Sequence, residues 1–356
     1  IPCYNFTMER RDFIKNSICL SCAGLFASGC KNILINYNDI KNDKFYYKSK
    51  AGLPKKVRLE ACSLCQLDCP VCTVRLLEKK APKDWLGYLK FDDFKKFVDD
   101  NDFIEEMELS NNGEIFLNPE LDEIIKYAHK KGIKLCANNG VNLNTVSEKT
   151  LENLVKYKFR SLVVALDGAT PETYKIYRRG GDFNKVIDNI KKINYYKEKY
   201  NSELPKLTWQ FILFGHNEHE VELAKKKAKE LDMEIDFKRN YAPRYSPVKN
   251  VKLVEKQTGT KIVEENNEYI KVANNTKKSP ICNMLFKSPQ IDYNGILLGC
   301  CRASITNFKV NVFKEGLLNA LNDPCVLYAK LMLSDASTPA KKGIPCSSCD
   351  ENRLIL

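Results

Sequence analysis

Histidine is almost missing from this sequence: His129, His216 and His219 are the only three in 356 residues. A transition-metal site in this chain must therefore be held mainly by sulfur. Arginine-rich or aromatic-interleaved stripes are lacking as well. Lys and Arg number 57 against 45 Asp and Glu, a formal charge of +12, but the excess is scattered lysine, which gives no footing for a nucleic-acid partner. Long apolar runs are also absent, the stretch 18–27 being too short to span a bilayer as a stable helix. What is plentiful is cysteine. The fifteen cysteines fall mainly into clusters, and between Cys72 and Cys282 only Cys136 occurs. A disulfide scaffold would be a short secreted chain with cysteines spread throughout. This is the pattern of ligands, and soft thiolates suit iron–sulfur clusters or structural zinc.

Residues 1–33 read as a leader. Arg10 and Arg11, followed by Phe13 and Lys15, look like a twin-arginine export signal, with 18–27 as its apolar region. Ala27-Ser28-Gly29-Cys30 resembles a lipoprotein processing site, which would make Cys30 a lipidated membrane anchor. The competing reading is a basic, apolar amphipathic leader. Residues 34–56 are polar, without clear period, and read as a linker.

From Val57 onward, short β-rich runs alternate with helical stretches, as in parallel strands joined by crossover helices. Six strands are expected: Val57–Ala61, Met107–Ser110, Ile133–Asn138, Leu162–Asp167, Thr208–Phe214 and Glu234–Lys238. The best-signalled helix follows Glu114: Asn118 can cap it, Leu121, Ile124, Ile125 and Ala128 make one face, and Gly132 can end it. Another starts at Asn217, with Glu220 completing a cap pair. Six such units curl under the right-handed crossover rule into a partial (β/α)6 TIM-like barrel over 57–248, its site at the strand C-termini. Residues 249–281 read as a second linker, and 282–356 as a small cysteine-rich domain.

The first cluster, Cys62-Ser-Leu-Cys65-Gln-Leu-Asp-Cys69-Pro-Val-Cys72, follows the first strand directly. Cys65, Cys69 and Cys72 have the spacing C-x3-C-x2-C and can ligate three irons of one [4Fe-4S] cube, leaving the fourth iron open. Zinc modules place a dozen or more residues between their knuckles, and bacterial ferredoxin runs are spaced C-x2-C-x2-C-x3-C, so neither alternative fits well. Here the sequence resembles the radical S-adenosylmethionine (SAM) superfamily, over about 57 to 349. One departure is Val71, where the family usually has an aromatic residue.

The resemblance implies further site residues. Gly113-Glu114 looks like the segment whose carboxylate takes the SAM amino group, although Ile115 stands where proline is usual. Asn139, in Ala137-Asn138-Asn139-Gly140, resembles the turn closing the third strand. Asp167 and Arg178 fall where the family contacts SAM ribose or carboxylate, and Gln210 on the fifth strand is a further candidate. Taken alone, each also has an ordinary structural reading: Glu114 as a loop acid, Asp167-Gly168 as a turn, Arg178 as a helix-end cation. His216 and His219 read as neighbours of a helix start, and Cys136 as a small buried hydrophobe.

The tail reads C-x12-G-x4-C from Cys282 through Gly295 to Cys300, then Cys346-Ser-Ser-Cys349. Four cysteines suffice for one closed cube, and a tetrahedral zinc site would use the same four. The order resembles the SPASM or twitch extension of radical SAM enzymes and implies one auxiliary [4Fe-4S] cluster. Cys301 is an alternative to Cys300, and Cys325 is left over. Gly295 would turn a hairpin between 290–292 and 296–298.

The resemblance thus implies an iron–sulfur oxidoreductase that cleaves SAM reductively, releases a deoxyadenosyl radical and takes a hydrogen atom from its substrate. A flavodoxin or ferredoxin would supply the electron. Relatives with the extension act largely on peptides and proteins, which makes a maturase-like oxidation or cross-linking the first expectation. A dehydrogenase of a small sugar or polyol is the second, and a non-catalytic electron-transfer protein the third. An electron carrier would want a fully ligated first cluster, against the three-cysteine motif. SAM is made in the cytoplasm, so the export leader and the implied chemistry pull the localisation in opposite directions.

Overall fold

The structure, a computed structural model, describes residues 45–72, 74, 86–265, 268–271, 282–300, 307–335 and 337–348. The leader, Cys30, Cys301 and Cys349 lie outside these residues.

Alternation along the strands builds the fold. In β1 (Lys56–Leu59), Val57 and Leu59 are fully buried while Lys56 and Arg58 point to the opposite face. The same pleat recurs in β2 (Glu106–Glu108), β3 (Lys134–Val141), β4 (Ser161–Ala165), β5 (Lys206–Leu213) and β6 (Glu234–Arg239). Between them run α1 (Phe91–Asp100), α2 (Leu121–Lys130), α3 (Glu148–Lys156), α4 (Pro171–Tyr177), α5 (Phe183–Lys199) and α6 (Val221–Glu230). Neighbouring strands are parallel from β1 to β6. One sheet face therefore collects the apolar side chains and packs on the helices, while the other is rich in polar groups.

α2 buries the expected Leu121, Ile124, Ile125 and Ala128, and Gly132 follows at φ +75. Asn118 does more than cap it: its Nδ2 donates to Ala61 O (2.9 Å) and Leu89 O (3.0 Å), tying the helix start to β1. The cap pair expected at Asn217 does not form. Asn217 Oδ1 takes the Phe214 N–H at 2.8 Å, and the Glu220 carboxylate takes Ala169 N and the Thr170 hydroxyl, each at 2.7 Å. A three-residue 3-10 turn, Glu218–Glu220, precedes α6 where the cap pair was expected.

The stretch 249–281, read as an unpatterned linker, carries structure at its start. Asn250 accepts from Leu253 N and caps α7 (Val251–Thr258), which Gly259 ends at φ +63. An antiparallel hairpin follows, β7 (Ile262–Glu265) with β8 (Glu268–Lys271). Only Val254 of α7 is buried, with Val251 and Leu253 packed beside it, so its apolar face spans little more than one turn. The described part of the first linker is also packed. Tyr47 N donates to Asn322 Oδ1 and Asn322 Nδ2 to Tyr47 O, both at 2.8 Å, and Leu53 is buried.

The C-terminal segment begins with α8 (Asn283–Lys287) and adds β9 (Gln290–Ile291) in parallel to the free edge of β1. The sheet order is thus β6-β5-β4-β3-β2-β1-β9, an open partial barrel of seven strands rather than six. Gly295, at φ +91, turns the chain after Asp292, and Leu297 bridges back to Ile291 as the hairpin reading expects. The helices α9 (Val312–Glu315), α10 (Leu317–Leu321) and α11 (Pro324–Ser334) complete it. The apolar core is continuous from the barrel helices into this segment, with the Phe97 and Phe313 rings 5.9 Å apart. Among the described residues no helix is long and apolar enough to cross a membrane.

Candidate functional site

The loop after β1 is pinned from several sides. Ser63 N donates to Gly87 O (2.9 Å), Glu114 N to Leu64 O (2.7 Å) and Asp68 N to Arg179 O (2.9 Å). Held this way, Cys65, Cys69 and Cys72 all face one cavity of about 190 Å³ at the C-terminal ends of the strands. Its other wall is made by Ser110–Glu114 after β2, Asn139–Asn142 at the end of β3, and Arg178. Cys62 does not take part. It is fully buried, bridges to Tyr88 and directs its thiol at Leu64 O.

Gly113 explains why the two walls can close on each other. Its φ is +58, and a Cβ there would stand 2.5 Å from Cys62 O and from the Ser63 carbonyl carbon. Gly113→Ala is expected to cost about 2–4 kcal/mol, from left-handed strain plus overpacking against backbone that cannot retreat cheaply. Calorimetry of the variant checks this; an unchanged melting temperature would mean that the cysteine loop moves freely.

Glu114 is buried, and both its oxygens hold backbone. Oε1 accepts from Phe116 N (3.2 Å) and Oε2 from Asn142 N (2.6 Å). Burial pushes its carboxyl up to about 7 against the pull of these two N–H groups. It therefore clamps β3 to the glycine loop while lining the cavity. Asn139 lines it too, anchored by its N–H on Ser110 Oγ (3.0 Å).

Asp167 and Arg178 form one unit. Asp167 is fully buried at φ +52, a left-handed conformation for a non-glycine residue. Its Oδ1 accepts from Ile212 N (2.6 Å), and its Oδ2 accepts Arg178 Nε (2.7 Å) within a close ion pair. Arg178 in turn lines the cavity, with Nη1 3.8 Å from Cys69 Sγ. Burial works against the Arg178 charge, but Asp167 and Cys69 outweigh it and raise its pKa. Asp167 itself does not line the cavity and stands behind Arg178. Gln210 does not line it either: its Oε1 accepts from Lys238 Nζ at 2.6 Å. His216 pairs with Ser246 Oγ (2.7 Å) and stacks on Phe214, and it does not line the cavity.

The donor set fits a [4Fe-4S] cluster. Among the described residues no three ligand side chains close on a single ion; the three thiols are instead distributed around one cavity, and a cube binds its thiolates on separate irons. Burial pushes Cys65 up to about 12 and raises Cys69. Bound iron would take both as thiolates, as metal binding displaces thiol protons. The polar wall facing them suits a chelating amino and carboxylate ligand on the remaining iron.

Residues 60–226 match the radical SAM superfamily. The matched segment, from the cysteine loop to α6, carries the radical SAM domain. The chain is similar to the antilisterial bacteriocin subtilosin biosynthesis protein AlbA of Bacillus subtilis, with 30% identity over 145 residues, 39% of this chain. That alignment spans only 30% of AlbA's own length. In fold it is similar to Streptococcus suis SuiB bound to S-adenosylmethionine, with a TM-score of 0.60 at 15% identity over 97% of this chain and 82% of SuiB. It is also similar to SuiB bound to the precursor peptide SuiA, with a TM-score of 0.57 at 17% identity over 89% and 78%.

Within the radical SAM domain, one cavity residue carries no signal in the sequence. Asn142 places Nδ2 3.9 Å from Cys65 Sγ, accepts from Gln66 Nε2 (2.7 Å) and gives its own N–H to Glu114. The asparagine-rich run from Asn138 to Asn144 offers several equivalent candidates, and only the bulge between Ala137 and Val141 decides which face the cavity. In the tail, Cys282, Cys300 and Cys346 are each half-buried, and Cys282 and Cys346 pack against the apolar core. Cys325, at the start of α11, is engaged in a disulfide.

Proposed function

We propose that this chain is a radical SAM enzyme that takes a hydrogen atom from a peptide or protein, leading to oxidation or cross-linking. The observation that carries this reading is the single cavity on which Cys65, Cys69 and Cys72 meet the Gly113-Glu114 and Asn139–Asn142 segments. A [4Fe-4S] cluster on the three thiols, with SAM on its open iron, would supply reductive cleavage of SAM and hydrogen abstraction. The protein's part is placement. Glu114 and Asn139 line the wall opposite the thiols, and Arg178 sets a fixed positive charge beside Cys69.

The peptide substrate is supported by the relatives: AlbA is named for making a bacteriocin, and SuiB was crystallised with a precursor peptide. Cys282, Cys300, Cys346 and Cys349 would hold one auxiliary [4Fe-4S] cluster, and a flavodoxin or ferredoxin would deliver the electron. Anaerobic reconstitution with iron and sulfide is expected to load about eight irons and to give deoxyadenosine from SAM under reductant. Zinc in the tail with about four irons would replace the auxiliary-cluster assignment. A full iron complement without deoxyadenosine would overturn the enzymatic one.

A further inference from the structure

The polar face of the sheet beside β9 holds buried side chains that the thiol cavity does not use. Arg58 and Gln290 lie opposite each other in the β1–β9 register and so share that face, and Glu60 continues it one pleat further. Gln290 is completely buried and Glu60 is 2% exposed. Five buried atoms of this group have no hydrogen-bond partner among the described residues: Arg58 Nη2, Glu60 Oε1, Asn111 Nδ2, and both Nε2 and Oε1 of Gln290. Asn111 joins the group to the active site, since its Oδ1 accepts Arg58 Nε at 3.1 Å while the residue lines the thiol cavity.

Glu108, opposite Arg58 in the β1–β2 register, forms no ion pair with it among the described residues. Glu108 is occupied by Ser110 N and Oγ and by Asn138 N at 2.7–3.0 Å. Buried polar atoms in folded proteins are nearly always paired, so a concentration of unpaired ones marks a place shaped by something other than stability. Their chemistry is mixed: three N–H donors and two acceptor oxygens. A carboxylate would satisfy the donors but leave the Gln290 oxygen unmatched and stand against Glu60. An ammonium group would satisfy the oxygens but stand against Arg58. An amide matches both sets, its carbonyl taking Arg58, Asn111 or Gln290 and its N–H giving to Glu60 or Gln290.

We propose that Arg58, Glu60, Asn111 and Gln290 form a subsite that holds an amide group of the substrate beside the SAM cavity. This rests on the peptide reading and deepens it, naming the chemical group by which the barrel grips the peptide.

The test uses the reconstituted full chain, with N-acetylglycine N-methylamide, acetate and methylammonium as probes and thermal unfolding as readout. The diamide is expected to raise the melting temperature, with acetate and methylammonium giving no rise. Gln290→Leu is expected to lose the diamide shift and to melt at the same temperature as the parent or about 2 °C higher, because leucine leaves no atom unpaired. If that variant does not fold, Arg58→Met carries the same comparison. A diamide shift that persists in the variant, a larger shift with acetate, or no diamide shift at all overturns the subsite. Deoxyadenosine release measured alongside separates the two readings. Release without diamide binding removes only the subsite; diamide binding without release removes the enzymatic reading and leaves the subsite standing.

Discussion

Cys65→Ala, Cys69→Ala and Cys72→Ala are each expected to lose the first cluster and to bring deoxyadenosine release down to that of iron-free protein, while Cys62→Ala keeps both. In sequence Cys62-x2-Cys65 and Cys69-x2-Cys72 are two identical pairs, and only the C-x3-C-x2-C spacing singles out the last three. Geometry separates them. The last three line the cavity, whereas Cys62 lies under the loop with its thiol on a backbone carbonyl. A cluster with three protein ligands has none to spare, so each loss is close to complete. Iron content and deoxyadenosine are measured together, and Mössbauer spectra show whether the cluster lost is the first or the auxiliary one. Loss of activity in Cys62→Ala with an intact Cys65→Ala would move the ligand set one position upstream and overturn the site as drawn.

Asp167→Ala should be the most damaging single change away from the thiols. Its carboxylate is fully buried, takes the Ile212 N–H and pairs with Arg178, whose side chain is only 14% exposed. Removing one partner of such a pair leaves a buried charge without compensation and costs about 3–5 kcal/mol. Arg178→Met alone leaves the carboxylate stranded in the same way. The double variant strands neither, so in urea unfolding it is expected to be more stable than the sum of the single losses allows, with a coupling of about 1–3 kcal/mol. Additive losses would show that the pair stabilises nothing as a pair. In the reconstituted protein Arg178→Met is also expected to lower the reduction potential of the first cluster, since a positive charge near a ligand sulfur favours the reduced state.

Much of this arrangement could be read from the sequence because it rests on local signals. Six strands announced themselves by short β-rich runs, and the three cysteines that line the cavity by spacing. The helix over 121–130 did so by its apolar face and Gly132. Other features depend on distant partners. β9 has only two residues and owes its place to pairing with β1, so no local pattern distinguishes it from a hairpin arm. α7 buries a single side chain. Asn142 gains its place from a bulge, and Asp167 and Gln210, plausible SAM contacts by resemblance, turn out to stand behind Arg178 and beside Lys238. Only assembled geometry tells which polar residue near a strand end faces the cavity and which supports the one that does.

The pairing of Leu59 with Ile291 has a consequence for biosynthesis. The cysteine loop leaves the ribosome well before the strand that covers the neighbouring edge of β1 is made. About 230 residues separate them, which at roughly 5–20 residues per second amounts to about ten to fifty seconds. Throughout that interval the β1 edge has no neighbour on its outer side, and the nascent barrel stays unzipped next to the cavity cysteines. That interval is both a hazard, as an open edge can pair with another chain, and the period in which iron and sulfide have their widest path to Cys65, Cys69 and Cys72.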